Sequence, residues 1–95
     1  MLWNDFNFVV VYKRDDGYFI KRGYDSLEYT LKQVEFMLQY NSANFVSAMV
    51  YDCSRYNHWC GYDEIKLLYV YTKMTNNNIN KRLAGKYDDH REILK

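Results

Sequence analysis

The chain has 95 residues and 19% of them are aromatic, so it carries enough apolar area for one small folded domain. Two cysteines and no proline argue against a disulfide scaffold, and the aromatic content argues against a disordered tail. Thirteen Lys and Arg against twelve Asp and Glu give a formal net charge of +1. A surface that attracts nucleic acid over its whole extent is therefore not expected.

The N-terminal part predicts a β-hairpin. Phe6–Lys13 is rich in β-branched and aromatic residues, which favour strands. Asp16-Gly17 is a dipeptide that tolerates the positive φ of a hairpin turn. Tyr18–Arg22 is then the returning strand.

A helix is predicted next, because Asp25 and Glu28 have the spacing of a capping box. It should run from Ser26 to Tyr40. Phe45–Cys53 and Ile65–Lys73 are predicted as the third and fourth strands, joined by a loop of roughly ten residues.

The last segment predicts a second helix, because apolar and aromatic residues recur there at helical spacing: Ile79, Leu83, Tyr87, His90 and Leu94. The order is β-β-α-β-β-α, an α+β fold with a four-stranded, mainly antiparallel sheet and a helix packed on one face. We expect a single domain over 1–95, with a core in 1–75 and a C-terminal helical segment over 76–95.

The first helix has two apolar sides. Leu27, Leu31, Val34 and Leu38 form an aliphatic side that should pack on the sheet. Three aromatic residues cluster on the opposite side, where water should be: Tyr29, Phe36 and Tyr40. These three are candidate partner-binding residues.

The strands also predict two apolar faces. We expect an aliphatic face under the helix, comprising Val9, Val11, Phe19, Val46, Ala48, Val50, Leu68 and Val70. The far face should be aromatic, comprising Phe6, Phe8, Val10, Tyr12, Tyr18, Ile20, Phe45, Met49, Tyr51, Leu67, Tyr69 and Tyr71. The C-terminal helix, a second copy of the chain or another macromolecule must cover what remains, since exposed apolar patches tend to mark interfaces.

The loop 52–64 supports several interpretations. Cys53, His58 and Cys60, with Asp52, Asp63 or His90 as a fourth ligand, have the chemistry of a zinc site but not its usual short cysteine spacing. A Cys53–Cys60 disulfide could close the loop, but a reducing compartment disfavours it. A cysteine nucleophile beside a histidine is a third alternative, without an oxyanion hole or an orienting third group in the sequence. We expect no metal and no cofactor.

The same loop is rich in residue types that anchor protein interfaces: Arg55, Tyr56, His58, Trp59 and Tyr62. These five are candidate partner-binding residues. The alternative is that Trp59 closes the end of the core and the rest of the loop is a solvated connection.

Three classes of function are open, and an enzyme is the least supported, because the sequence has no phosphate-binding loop, zinc-protease motif or nucleophile elbow. A single-stranded nucleic-acid binder is the alternative, with the aromatic sheet face as a stacking platform and a basic segment of Lys73, Lys81, Arg82 and Lys86. A non-enzymatic protein-interaction module, a homodimer or a small accessory protein, fits best.

Location and origin are suggested only by composition. The start of the chain lacks a signal-peptide pattern and no apolar run is long enough to span a membrane, so we expect a cytoplasmic protein with no membrane partner. The small size and the Asn-, Lys- and Tyr-rich usage resemble accessory proteins of phages or mobile elements. That resemblance implies an inhibitor that binds a host protein.

Overall fold

The computed structural model describes residues 6–40, 44–55, 65–75 and 78–85. Within these ranges the chain forms five strands and one helix: β1 (Phe8–Arg14), β2 (Phe19–Tyr24), α1 (Leu27–Gln39), β3 (Phe45–Asp52), β4 (Lys66–Thr75) and β5 (Asn78–Leu83). The strands make one antiparallel sheet in the order β2-β1-β3-β4-β5. The α+β class is confirmed, and the sheet has one strand more than predicted.

The predicted β1–β2 hairpin is confirmed. Gly17 has a φ of 90°, in the left-handed region that glycine enters without strain. The Asp16 carboxylate accepts a hydrogen bond of 3.1 Å from the Tyr18 backbone N–H. The Arg14 backbone N–H donates to the Tyr18 carbonyl at 2.8 Å, which closes the turn.

The predicted C-terminal helix is wrong over 78–83, which form β5 instead. Ile79 and Leu83 are four residues apart, a spacing that fits one face of a helix and also one face of a strand. In the structure Lys81 lies opposite Tyr71 and Leu83 opposite Tyr69 on β4. Residues 86–95, which carry the rest of the predicted helix, lie outside the described residues.

The predicted sorting of the two sheet faces is wrong for several residues. Val10 lies opposite Val50, Tyr12 lies opposite Ala48, and Ala48 lies opposite Tyr71, so all five share one face. This face packs under α1. The sorting failed because residue type does not reveal the pairing register between strands, which decides which face each residue joins.

Bulges contribute to the same error. The β1–β3 register skips Val46, and the β3–β4 register skips Leu68. A bulged residue reverses the alternation beyond it. Phe45 and Ala48 are three positions apart, which would put them on opposite faces of a regular strand, but the bulge brings both into the cluster under α1.

The far face of the sheet is buried at its centre rather than exposed. Its cluster comprises Val9, Val11, Tyr51, Cys53 and Ile65, with Phe6, Met49 and Leu67 packed against it. The expected far-side aromatic surface is thus wrong in two ways, since Tyr51 is buried there and Tyr12 and Tyr71 are buried under α1.

Helix α1 lies across the helix-side face. Thirteen residues span about 20 Å and five strands about 19 Å, so one helix reaches across the sheet. It contacts β1 and β3 in the middle as well as β2 and β5 at the two edges. Among the described residues, no helix is long and apolar enough to cross a membrane.

Candidate interaction surface

The start of α1 fixes which way its side chains point. Ser26 is the N-cap, and its hydroxyl accepts a 3.2 Å hydrogen bond from the Tyr29 backbone N–H. Its carbonyl accepts a 2.6 Å bond from the Thr30 hydroxyl. The sequence predicted Asp25 as the cap; its carbonyl instead accepts a 3.0 Å bond from the Asn7 amide.

Most of the sheet-facing side of α1 is buried as predicted, but Leu27 at its start is only half-buried. Thr30, Val34 and Leu38 are buried, and Leu31 packs partly against the same core cluster. The buried Thr30 hydroxyl is satisfied by its bond to Ser26, so this side brings no unpaired polar group into the core.

The opposite side of α1 and its C-cap residue carry three exposed rings, as predicted: Tyr29, Phe36 and the C-cap Tyr40. They are 55%, 59% and 53% exposed. Successive helical residues are separated by about 100°, which brings these three positions within about 40° of one another. Phe36 and the buried Leu38 are about 160° apart by the same rule. We call Tyr29, Phe36 and Tyr40 the aromatic stripe.

The rings of the aromatic stripe are held by contacts with other rings. Phe36 and Tyr40 stack with their centroids 6.0 Å apart and their planes 10° apart. Tyr29 makes an edge-on contact with Tyr24 of β2, with centroids 6.0 Å apart. Because these contacts already restrict the rings, the rings have less conformational entropy to lose when a partner binds them.

Tyr24 connects the stripe to the core. Its hydroxyl lies 3.1 Å from that of Tyr12, a buried residue of β1 whose ring stacks on Phe45. Burial raises the pKa of Tyr12, and the hydrogen bond to Tyr24 raises it further. Tyr12 therefore stays protonated and buried in the core. Through Tyr24 it connects the Tyr29 end of the stripe to the core.

One flank of the stripe is charged. Glu28 and Lys32 form an ion pair of 3.4 Å one turn apart, with side chains 83% and 72% exposed. Glu35 is also exposed. Such a solvated pair adds little stability, but it gives the edge of the surface a defined charge pattern.

The loop after β3 is described only at its start. Arg55 is exposed there, whereas Tyr56, His58, Trp59 and Tyr62 lie outside the described residues. The Asp52 carboxylate accepts hydrogen bonds from the Ser54 backbone N–H at 2.9 Å and from its hydroxyl at 2.6 Å. These two bonds form a side-chain-capped turn at the end of β3.

Cys53 does not have the surroundings of a ligand or a nucleophile. It is a buried free cysteine in the far-side cluster. Burial, with a smaller contribution from the charge of Asp52, raises the pKa of its thiol to about 12. Metal binding and nucleophilic attack both use the thiolate. Cys60, His58, Asp63 and His90 lie outside the described residues, and no group of three potential metal ligands occurs within them.

The cations of the nucleic-acid hypothesis lie on the β4–β5 pair. Lys81 places its ammonium 4.5 Å from the ring centre of Tyr69 and 5.9 Å from that of Tyr71. Tyr71 is buried, which raises its pKa to about 12. Neither ring is thus an open stacking platform. Lys73 and Arg82 are strand residues, and Lys86 lies outside the described residues.

Comparisons with known proteins give no further guidance. No protein-family model, no curated protein and no solved structure matches the chain. What the surface does must therefore be argued from its geometry.

Sequence reasoning missed two features of the exposed surface. Leu83 is 75% exposed on the edge strand β5, whereas the sequence analysis placed it in a C-terminal helix. Tyr24 was left without a role, although it supports Tyr29. No local pattern marks Tyr24, since its contacts come from β1 and α1.

Proposed function

We propose that this protein is a non-enzymatic interaction module that binds another polypeptide, a second copy or a different protein, through the aromatic stripe of α1. The observation that carries the proposal is the exposure of Tyr29, Phe36 and Tyr40 on the side of the helix turned away from the sheet. Aromatic side chains bring large apolar area at small cost in conformational entropy, which suits them to interfaces.

The core does not account for these rings. Leu38 and Val34 already fill the space between α1 and the sheet and are completely buried. A surface helix is ordinarily polar on its outer side. Three rings placed there leave apolar area in water, and a partner would remove it from water.

The chemistry of the described residues also supports a non-enzymatic role. A catalytic thiol needs a depressed pKa and access to substrate. Cys53 is buried and its pKa is raised.

Site-specific photo-crosslinking tests the proposal. A photoreactive phenylalanine at position 36 is compared with one at position 83, which is more exposed than Phe36 but lies on β5. We expect a discrete adduct, to the chain itself or to one other protein, from position 36 only. Unlabelled wild type should compete it away, whereas unlabelled Phe36→Lys should not. Equal adducts from both positions would refute the proposal.

Nucleic-acid binding is the second candidate, because charge is segregated between the elements. The five strands carry eight cations (Lys13, Arg14, Lys21, Arg22, Lys66, Lys73, Lys81 and Arg82) and one acid, Asp52. Cations that contact phosphates give affinity that falls steeply with salt. Binding of single-stranded homopolymers at low salt, weakened by Lys73→Gln with Arg82→Gln, would support it.

A further inference from the structure

We infer that the face of the sheet turned away from α1 binds a single-stranded nucleic acid along one row of side chains. This row crosses all five strands near the β1–β2 turn and comprises Phe19, Lys13, Ser47, Thr72 and Asn80. We call these five residues the open row. The inference gives the nucleic-acid candidate a specific surface, and it does not depend on the aromatic stripe.

The strand register places the open row on the far face. Lys13 lies opposite Phe19 on β2 and opposite Ser47 on β3, and the register continues the row through β4 to β5. Residues directly opposite each other in an antiparallel pair share a face. Lys13 follows Tyr12, which is buried under α1, and successive strand residues point to opposite faces. The whole row is therefore turned away from the helix.

The open row remains accessible, unlike the centre of the same face. Lys13 and Asn80 are exposed, Phe19 is 44% exposed, and the two hydroxyl residues between them are half-buried. In the next row, Val11 is completely buried in the far-side cluster. The open row thus borders an apolar cluster and offers polar groups and one ring to a ligand.

The two faces differ in how their cations are balanced. On the helix side, Arg14 forms a 3.0 Å ion pair with Asp16, and Lys66 lies opposite Asp52, the only acid of the described strands. On the far face the two cross-strand neighbours of Lys13 are a ring and a hydroxyl. Among the described residues, no ion pair holds Lys13. The far face therefore favours a negatively charged ligand.

Two further cations lie on the far face, at opposite edges of the row next to the open row. Lys21 on β2 is opposite Val11, and Arg82 on β5 is opposite Val70. Both also make other contacts, so Lys13 is the cation most available to a ligand. Three cations spread across one face suit a chain of phosphates better than a single anion.

The other side chains of the open row favour a nucleic acid over an acidic polypeptide. Phe19 exposes a ring, and single-strand binders combine such rings with cations so that bases stack on them. An acidic peptide would use the cations but has no base to place on the ring. Ser47, Thr72 and Asn80 carry hydroxyl and amide groups that donate as well as accept, which suits base edges and sugars.

The length of the open row fits a short single strand. Five strands place its ends about 19 Å apart. Four-stranded RNA-binding sheets stack two or three bases across their strands. A row of this length therefore accommodates a comparable number of nucleotides.

Fluorescence anisotropy of a labelled oligothymidine of about 15 nucleotides, long enough for one site, tests the inference with the full chain. We expect a dissociation constant of about 1–100 μM at low salt. Lys13→Gln should weaken binding about threefold to tenfold and reduce the slope of log affinity against log salt by about 0.7, because one phosphate contact is lost. Lys66→Gln, the matched exposed lysine on the helix side, should change neither. Asp15→Asn, which removes an exposed acid from the adjoining turn, should strengthen binding about twofold.

The ring is tested separately. Phe19→Leu keeps an apolar side chain but removes the stacking surface, so it should weaken binding about threefold to tenfold. Leu83→Ala, which shortens a more exposed apolar side chain on the helix side, should leave binding unchanged. Circular dichroism confirms that the variants remain folded. Poly-glutamate should bind at least about tenfold more weakly than the oligothymidine, because it has charge without bases. Equal affinities for the two polymers would overturn the choice of a nucleic acid.

The outcomes separate the inference from the functions proposed above. Binding that Lys13→Gln and Phe19→Leu weaken, and Lys66→Gln does not, supports the open row. Binding that Lys66→Gln or Lys73→Gln weakens, and Lys13→Gln does not, keeps the nucleic-acid candidate but overturns its placement on the far face. If no oligonucleotide binds at low salt, the inference and the nucleic-acid candidate both fail, and the proposal for the aromatic stripe is unaffected.

Discussion

The rings of Phe36 and Tyr40 stack on each other with centroids 6.0 Å apart, although both residues are more than half exposed. The stack orders two large side chains outside the core, next to a helix side that is already fully packed on the sheet. An ordered exposed pair loses less entropy when a partner covers it than two free rings would. Phe36 and Tyr40 therefore resemble a preformed binding anchor more than a part of the core.

The first prediction concerns stability. Phe36→Ala should lower the free energy of unfolding by less than about 1 kcal/mol, because Phe36 is mostly exposed and its ring contact is with Tyr40 at the helix surface. Leu38→Ala, two residues away, should lower it by about 2–5 kcal/mol because it opens a cavity in the core. Urea denaturation measures both. Similar losses for the two variants would show that Phe36 belongs to the core.

The second prediction concerns Gly23, which the Phe6 ring contacts so closely that a Cβ at this position would overlap it. Gly23→Ala should cost about 1–3 kcal/mol of stability through overpacking. In a Phe6→Ala background the same change should cost less than about 0.5 kcal/mol, because the overlap is gone. If Gly23→Ala costs as much stability in the Phe6→Ala background as in the wild type, overlap with the Phe6 ring is not the cause of the loss.

Gly17 provides a contrasting control. No atom lies within 4 Å of a Cβ added there, but its φ is +90°. Gly17→Ala should therefore cost about 1–2 kcal/mol from backbone strain alone. That cost should be the same with Phe6 or Ala at position 6.

The third prediction distinguishes β5 from the helix expected over the same residues. Ile79 packs partly against the core cluster, whereas Leu83 is 75% exposed. Ile79→Ala should lower the free energy of unfolding by about 1–2 kcal/mol and Leu83→Ala by less than about 0.5 kcal/mol. An amphipathic helix would bury both residues, so equal costs in thermal unfolding would contradict the strand.

The fourth prediction concerns alkaline pH. The pKa of Cys53 is raised from 9.0 to about 12 in the folded state, and that of Tyr71 from 10.0 to about 12. Between about pH 9 and 12 the unfolded chain ionises these groups and the folded chain does not, so stability should fall as the pH rises. Cys53→Ala should make the fall shallower between about pH 9 and 10.

Thiol alkylation provides an independent measurement. At neutral pH the Cys53 thiol should react much more slowly in the folded chain than in urea, because it is buried and protonated. Cys60→Ser isolates the signal of Cys53. Equal rates in the two states would show that Cys53 is accessible.

The sequence was sufficient to predict the features that depend only on residues close together in the chain. The β1–β2 hairpin follows from Asp16-Gly17 at its turn. The two sides of α1 follow from the helical period, which separates Leu38 from Phe36. For the same reason the aromatic stripe was found from sequence alone.

Relations between distant strands were not readable from the sequence. Tyr12 and Tyr71 were expected on the far side, but they share a face with Ala48, because pairing across β3 sets their register. The bulges at Val46 and Leu68 add to this, since one extra residue reverses the side-chain alternation. The positions of the aromatic stripe follow from the helical period of α1, so these errors in strand register do not affect them.

The most direct test of the central claim maps the amide chemical shifts of the full chain during dilution from about 1 mM to about 20 μM, a range that spans weak association. The account predicts progressive shifts concentrated at the aromatic stripe, around Tyr29, Phe36 and Tyr40. Residues on the outer edge of β5, such as Arg82, should not change. Shifts concentrated on the sheet edges, or no shifts at all together with a monomeric mass, would contradict the homodimer version of the proposed function.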